Sequence, residues 1–526
     1  MTNMVQSAPP KVWAAIIVGT GFAGLGMAIA LRKQGIQDFV VLEKGQDVGG
    51  VWRDNTYPGA ACDIPSHLYS FSFELSPNWS RTFARQPEIH EYLRHCARKY
   101  DILPHVRFAS EVSEATFDEQ TAVWTVTTRD CRQFKSRLFI VGTGQLSRPA
   151  YPKLPGIENF QGRSFHSANW DHDHALEGKR VAVIGTGASA IQFVPAIADR
   201  VKQLKVFQRS APYILPRPDR AYPNSLKGIF HYVPWLMWLY RLKIFLFHDI
   251  SKAAFTNRQW LMGIMANRPF RKLLRRQVKD PAVQKKMLPD YAPGCKRILI
   301  SSDYLATFSK SHVELVTEGI ENVTADGLVT TDGIHHPADV IIYGTGFAAT
   351  EFLAPMRIMG MGNLDLNAAW KEGAQAYLGM TVPSFPNMFI LYGPNTNLGH
   401  NSIVHMLESQ IGHVMRCIQH MHERQSDTIE VTSQAHEAFN TRIQSLLVKA
   451  VWNRCKSWYT DINGRNTTNW PGFATTFRWL ARRGKLDVYQ FRSSSAVCGN
   501  PSVAASSGKL DAYEHLRSSE GVAGTL

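Results

Sequence analysis

Apolar residues in this chain come in short unbroken runs, each followed by glycines and then by a stretch with helical spacing. The run Ala14-Ala15-Ile16-Ile17-Val18 leads into Gly19-Thr20-Gly21-Phe22-Ala23-Gly24 and a helix expected over Leu25 to Gln34. A second run, Phe39-Val40-Val41-Leu42, ends on Glu43. Both runs read as apolar strands. Strand, glycine turn, helix, strand is a βαβ unit. Its glycines permit a tight turn and close backbone approach to a pyrophosphate, and the helix N-terminus supplies amide donors. Glu43, 24 positions after Gly19, stands where a carboxylate accepts from ribose hydroxyls.

The pattern recurs. Arg180-Val181-Ala182-Val183-Ile184 runs into Gly185-Thr186-Gly187-Ala188-Ser189-Ala190, a helix to about Ala198, and the strand Leu204-Lys205-Val206-Phe207, which ends in Gln208-Arg209-Ser210. At the offset where the first copy has Glu43, the second has Arg209. A carboxylate suits a free 2′-hydroxyl and repels a 2′-phosphate, whereas arginine binds it, so the first turn reads as an FAD site and the second as an NADP site. The alternative for Arg209 is a solvated charge after a buried strand. Ser189 lacks the closing glycine of a GxSxG nucleophile elbow, which leaves it as turn packing. Two further runs, Leu138 to Gly144 and Asp339 to Phe347, read as returning strands ending in glycines. The second is expected to re-enter the FAD unit and contribute to its pyrophosphate or flavin end. The fold class is therefore α/β, with two doubly wound, Rossmann-like dinucleotide-binding domains and a helical insertion in the second.

The insertion, residues 212–290, opens on the proline-rich Pro212 to Pro218 and then shows helical spacing. Its stretch from Val233 to Phe247 is too short and too charged to span a bilayer. The preferred reading is a core helix covering the substrate site; the alternative is an interfacial helix whose Trp, Tyr and basic residues touch lipid. Lys252, Arg258, Arg268, Arg271, Lys272, Arg275, Arg276, Lys279, Lys285 and Lys286 supply much of the net charge of +15. No helix-turn-helix, zinc-finger or RNA-recognition pattern accompanies them, so a field attracting NADPH is preferred and no nucleic acid is expected. Seven scattered cysteines without a CxxC argue against disulfides, zinc sites and a disulfide reductase, and favour a reducing cytoplasm. No metal is expected. Residues 1–11 read as a short mobile leader without a signal-peptide pattern, and 492–526 as a disordered tail rich in Ser, Gly and Ala. The sequence sets no oligomeric state.

Between the two units, Phe160-Gln161-Gly162-Arg163-Ser164-Phe165-His166-Ser167-Ala168-Asn169-Trp170-Asp171 matches the FxGxxxHxxxW(P/D) fingerprint of Baeyer-Villiger monooxygenases at every fixed position. Gly49-Gly50-Val51-Trp52 through Asp63 resembles a second signature of that family. Further family segments resemble Gly294-Cys295-Lys296-Arg297, Tyr377 to Pro383, Gly393 to Thr396 and Ser457-Trp458-Tyr459. The chain departs at Gly344, where the family usually has alanine. The resemblance implies FAD and NADPH as cofactors, and a ketone and O2 as substrates. NADPH reduces the flavin, O2 adds at its C4a, and the resulting peroxide attacks the ketone, which rearranges to an ester or lactone. It further implies that Arg297 stabilises peroxide and oxyanion charge and that Asp63 orients it. Lys296, Arg209 and Ser210 would share the 2′-phosphate, and Trp458 would lie by the nicotinamide.

The residues expected to contact cofactor are then Gly19, Gly21, Phe22, Ala23, Gly24, Glu43, Lys44, Gly50, Val51, Trp52, Asp63, Gly144, Gly185, Thr186, Gly187, Ala188, Ser189, Arg209, Ser210, Lys296, Arg297 and Trp458. In the linker fingerprint of Phe160, Gly162, His166, Trp170 and Asp171, a structural role for His166 is preferred over acid-base work, and Trp170 reads as packing. The expected FAD domain is 11–148 and 336–491, and the NADP domain 149–211 and 291–335. An N- or S-oxidising flavin monooxygenase and a non-enzymatic flavoprotein sensor are the competing functions. The sensor would have no need of an NADP site together with the Asp63 and Arg297 motifs.

Overall fold

The computed structural model describes residues 11–255 and 260–493. The expected leader and tail lie almost wholly outside them, as do Arg258 and Cys498. The first sheet is built on β1 (Val12–Val18), followed by α1 (Phe22–Lys33), β2 (Phe39–Leu42), the short α2 (Val51–Asp54), α3 (Gln86–Lys99) and β3 (Val106–Arg107). The meander β4 (Val112–Asp118), β5 (Val123–Thr128) and β6 (Gln133–Val141) completes this half. Strands β2 and β6 flank β1 in parallel register, with Ile17 opposite both Val41 and Ile140. Ala15, Ile16 and Ile17 are fully buried, so both faces of the strand are covered.

The second sheet uses β7 (Arg163–His166), β8 (Arg180–Ile184), then α4 (Ala190–Ile197) and β9 (Gln203–Phe207). After β10 (Ile214–Leu215) come α5 (Asn224–Tyr232), α6 (Pro234–Phe255), α7 (Trp260–Met262), a π turn at Gly263–Asn267 and α8 (Arg268–Gln277). The chain returns through β11 (Leu299–Ile300), parallel to β10, and β12 (Val313–Val316). A small antiparallel unit follows, of β13 (Ile320–Thr324), β14 (Gly327–Thr330) and β15 (His335–Pro337), and then β16 (Val340–Tyr343). The strand order is β12-β9-β8-β16-β7, all parallel.

This corrects one expectation. Strand β16 does not re-enter the first sheet; it lies between β8 and β7, with Val340 opposite Val181 and Arg163. A boundary at 335/336 therefore falls ahead of a strand of the second sheet. The apolar run fixed a doubly covered strand, but such a run carries no mark of which neighbour it pairs with. The crossings between the sheets run side by side instead, with Pro149 bridged to Phe347 and Ala150 N–H donating to Gly346 O at 2.9 Å. Re-entry comes with β17 (Arg357–Met359) beside β4 and β18 (Met388–Ile390) beside β6. The Ile403–Glu423 helix then packs on α1.

The inserted helices bridge both cores. Phe245, Phe255 and Met262 join the first, and Phe270, Leu273 and Leu274 join the second. Only the inner face of α6 meets the reading of a core helix, since much of its outer face is exposed.

Candidate functional site

The first glycine turn is sealed by backbone packing. A Cβ on Gly24 would lie 1.8 Å from Gly19 O, and one on Gly19 would lie 2.8 Å from Gly142 O, so neither position has room for a side chain. Gly49 N–H donates to Thr20 O at 3.0 Å, and Gly50 approaches Gly21 so closely that its Cβ would sit 3.1 Å from Gly21 Cα. The two glycine segments thus face each other across a gap without side chains, at the N-terminus of α1. Phe22 turns its ring to Tyr69 and Phe71 at 5.1 and 5.2 Å between centroids, and Ala23 is buried. What these two residues offer a ligand is backbone.

Glu43 is buried and already well bonded. Its Oε2 accepts from Thr20 N–H at 2.9 Å and Thr20 Oγ1–H at 2.6 Å, and its Oε1 from Gly45 N–H at 2.8 Å and Arg53 Nη1 at 2.6 Å. Burial pushes the carboxyl pKa up, but the Arg53 charge and the Thr20 and Gly45 bonds prevail and hold it below the ordinary value. Thr20 and Arg53 are site residues that spacing did not single out. Lys44 is exposed, Val51 is half-buried, and Trp52 donates Nε1–H to Tyr69 Oη at 3.2 Å.

The second turn repeats the first. A Cβ on Gly185 would lie 2.4 Å from Gly344 O, the counterpart of the 2.8 Å contact of one on Gly19 with Gly142 O. Gly344 N–H donates to Ile184 O as Gly142 N–H does to Val18 O, both at 2.9 Å. At Gly344 itself a Cβ would meet the Ala190 Cβ at 3.0 Å, a contact that glycine relieves. Gly187 and Ala188 are exposed, and Ser189 lies by Tyr57 of the first unit. Thr186 Oγ1–H donates to Ser210 O at 3.3 Å, and Lys296 Nζ donates to Ser210 Oγ at 2.8 Å. The Lys296 pKa is lowered by burial first and by the Arg209 charge second. Arg209, Ser210 and Lys296 therefore form one cationic cluster at the end of β9, although Lys296 is 86 residues from Ser210 in sequence.

Arg297 sits at the seam of the two cores. Cys295 is buried in the first and Leu299 in the second, which leaves the intervening residues facing the junction. Its Nε and Nη2 both donate to Asp63 Oδ2, at 2.9 and 2.6 Å, and Nη1 reaches Leu398 O only at 3.5 Å. The Asp63 charge raises the guanidinium pKa above its ordinary value despite burial. Side-chain exposures of 24% for Arg297 and 31% for Asp63 leave the pair open on one side. Tyr392 and Tyr459 both feel the Arg297 charge. The Tyr459 hydroxyl is buried with no hydrogen-bond partner, and burial pushes its pKa up to about 12. Trp458 is half-buried beside it, with ring centroids 4.3 Å apart. Tyr392 stands directly before the Gly393 to Thr396 segment, and sequence reasoning did not single it out.

Cys295 and Cys455 are joined in a disulfide, contrary to the expectation of none. They lie 160 residues apart, so no local spacing announces the pair; the fold brings them together. The bond ties the segment carrying Lys296 and Arg297 to the one carrying Trp458 and Tyr459. Among the described residues Cys62, Cys96, Cys131 and Cys417 are free.

The linker fingerprint lies on β7 and its continuation. A Cβ on Gly162 would lie 2.5 Å from Asp339 O, while Phe160 packs beside a smaller apolar cluster of the second sheet that includes Ala182, Ile184 and Ile341. His166 is fully buried, and its Nδ1 accepts from Ala168 N–H at 3.1 Å, closing the following turn. Burial lowers its pKa. Trp170 packs on Phe165 and Phe193 at 5.2 and 5.4 Å, and Asp171 pairs with Arg163 at 2.6 Å. Gly144, in the left-handed region at φ 71°, lies in the turn after β6 with open space around it.

Comparison with known proteins bears directly on this geometry. A Baeyer-Villiger monooxygenase of Pseudomonas aeruginosa is 44% identical over 497 residues, covering 94% of each chain, and one of Streptomyces coelicolor is 41% identical over 94% of this chain and 95% of the other. The chain belongs to the Baeyer-Villiger monooxygenases. As a member of that family it is an NADPH-dependent flavoprotein monooxygenase. The pyridine nucleotide-disulphide oxidoreductase family model matches residues 16–222, the stretch holding both glycine turns. Among solved structures, a closed cyclohexanone monooxygenase superposes with TM-score 0.82 at 26% identity, covering 92% of this chain and 100% of the other. A structure of OTEMO in complex with FAD and NADP gives 0.82 at 28% over the same shares.

Proposed function

We propose that this Baeyer-Villiger monooxygenase inserts one atom of O2 beside the carbonyl of a ketone to give an ester or lactone, with Arg297 and Asp63 as its charge-stabilising pair. The observation that carries the reading is the Asp63–Arg297 contact at the seam of the two cores, open on one side. Both glycine turns fit dinucleotides, because Gly19, Gly24 and Gly185 have no room for a side chain while Gly21 and Gly187 leave open, at the start of each helix, the space that a side chain would take from a ligand. FAD would lie between Gly19, Gly21, Gly24 and Gly50, with its pyrophosphate at the N-terminus of α1. The acceptor directions of Glu43 are engaged by Thr20, Gly45 and Arg53, so a ribose hydroxyl would bind by displacing one of them. Arg53 is the partner on a movable side chain. NADPH would lie on the Gly185 turn, with its 2′-phosphate among Arg209, Ser210 and Lys296.

Bound flavin supplies the activated oxygen. Arg297, protonated at every working pH, steadies negative charge on the reacting oxygens with the donors that Asp63 does not take. Asp63 fixes the plane of the guanidinium. Tyr392, Tyr459 and the loop at Leu398 shield Arg297 on its buried side, which strengthens that interaction there. The test is to supply the purified, flavin-loaded protein with NADPH and O2 and to identify products from linear, cyclic and aryl ketones by mass spectrometry. Ester or lactone supports the reading. A protein that makes only N-oxides or S-oxides from amines and sulfides contradicts it.

A further inference from the structure

Helix α6 is built inside out. Its solvent side carries Trp235 (61% exposed), Trp238, Leu239, Leu246, Phe247 (70%) and Ile250 (68%), all within one broad stripe at one-turn spacing. Its inner side carries three buried charges, Arg241, Asp249 and Lys252. They pin the orientation. Arg241 donates to His67 O and to Ser70 Oγ at 3.1 Å, Asp249 accepts from Ala474 N–H at 2.7 Å and Thr475 Oγ1–H at 2.8 Å, and Lys252 lies over the Phe473 ring at 4.5 Å. Rolling the helix to bury its apolar stripe would break all of these contacts and strand the charges. The neighbours continue the pattern, with Tyr232 at the end of α5 83% exposed and Trp260 in α7 66% exposed. Half of the exposed large apolar side chains among the described residues fall between Ile229 and Met265.

Charge identifies the occupant. Between 224 and 279 the sequence has a single acidic residue, Asp249, and it is buried and fully bonded. Lys243 lies within the apolar stripe, and α8 follows with Arg268, Arg271, Lys272, Arg275 and Arg276 all exposed. A second copy of this chain docked on the stripe would set Lys243 and the neighbouring cations against their like and bring no carboxylate from this segment to meet them. Aromatic and aliphatic side chains among cations, without carboxylates, complement a surface that is apolar beneath and anionic at its head groups. We infer that the α5–α8 face docks on anionic phospholipid bilayers as a peripheral contact. Among the described residues no helix is long and apolar enough to cross a membrane, so the contact is at the surface. The docked helix also reaches the site, because His248 Nδ1–H donates to His400 O at 3.0 Å, two residues from the Leu398 carbonyl that meets Arg297.

The test sediments the FAD-loaded full chain with vesicles of phosphatidylglycerol and phosphatidylcholine, with vesicles of phosphatidylcholine alone, and with none, at low and high salt. Expected is co-sedimentation with anionic vesicles, weakened by salt, together with a blue shift of tryptophan emission. The triple change Trp235→Ser, Phe247→Ser and Ile250→Ser should keep flavin content and NADPH oxidation while lowering vesicle partitioning at least tenfold. Arg271→Glu with Arg275→Glu should remove the preference for anionic over neutral vesicles without touching the apolar stripe. The inference is overturned if the wild-type chain stays in the supernatant with anionic vesicles, or if the triple variant partitions like wild type. It is equally overturned if light scattering shows a stable dimer that the triple variant dissociates, since a second copy then covers the face.

Discussion

Replacing Arg297 with alanine separates charge stabilisation from cofactor binding. Two of the three Arg297 donor contacts go to one oxygen, Asp63 Oδ2, and the third, to Leu398 O at 3.5 Å, is at the limit of a hydrogen bond. The Nη1 side is therefore available to a reacting oxygen, and the substitution removes one charge-assisted donor together with its full positive charge. Loss of one such donor typically costs about 2.7–4 kcal/mol in the transition state, or ~10²–10³ in kcat. The fold should lose little, because Asp63 is 31% exposed and can hydrate once its partner is gone; about 0–1 kcal/mol is expected. Lysine should recover no more than about tenfold, or ~1.4 kcal/mol, since a point charge cannot serve Asp63 and substrate in one plane. Asp63→Ala should be milder than Arg297→Ala, leaving the cation present but less well oriented. The assay follows ester formed per NADPH consumed, together with hydrogen peroxide released and flavin content. Ester production by Arg297→Ala near the wild-type rate, at equal flavin loading, would refute the assignment and return this arginine to cofactor binding.

Other consequences follow from the same geometry. Arg209→Ala and Lys296→Ala should each weaken NADPH by roughly 10- to 100-fold, the worth of one charge-assisted contact, and leave NADH almost unchanged; equal loss for both nucleotides in a binding titration contradicts the 2′-phosphate site. Gly21→Val should abolish flavin retention, since its side chain enters the gap facing Gly50, and a fully yellow variant would speak against that cradle. Cys455→Ser should cost about 2–4 kcal/mol in urea unfolding and make stability insensitive to reductant, because it opens the 160-residue tie to Cys295; a variant that still responds to reductant as wild type does argues against that tie. His67 and His413, whose pKa burial lowers to about 4, and His405, lowered by burial to about 3, fold as neutral rings. The stability they contribute is present above the unfolded-state pKa of about 6.5 and declines as pH falls towards 4, by about 1.4 kcal/mol per pH unit for each proton taken up on unfolding. Denaturation curves that are flat across that window contradict their neutral burial.

The two dinucleotide turns were legible because each is a local device: glycine spacing, strand and charged residue all fall within about 25 positions. Arg297 and Asp63 were legible only through resemblance, since they are 234 residues apart and neither carries a local signature. Sheet membership of Val340–Tyr343 was not legible, because parallel pairing partners leave no trace in an apolar run. The Cys295–Cys455 pair and Tyr392 belong to the same class of fact, created by chain segments meeting in three dimensions. The outward stripe of α6 was half legible. Its aromatic and basic composition could be read, but which side faced inward depended on the contacts of Arg241 and Asp249.

The meeting of Asp63 and Arg297 has a further meaning for how the enzyme fails. One partner follows the first glycine unit, the other arrives after the whole of the second unit and its insertion, and each dinucleotide cradle is closed by backbone contacts of its own sheet. Partial separation of the two sheets under heat or denaturant would tug on the pair from the Leu299 side, while Cys295 stays tied to the first core through Cys455 and both cradles remain shut. On the proposed role of Arg297, oxygen transfer would then be the first property to be lost, and a yellow, nucleotide-binding form that had stopped making product would precede full unfolding. Colour and cofactor content are thus poor gauges of intact enzyme, and shelf life is better followed by product yield.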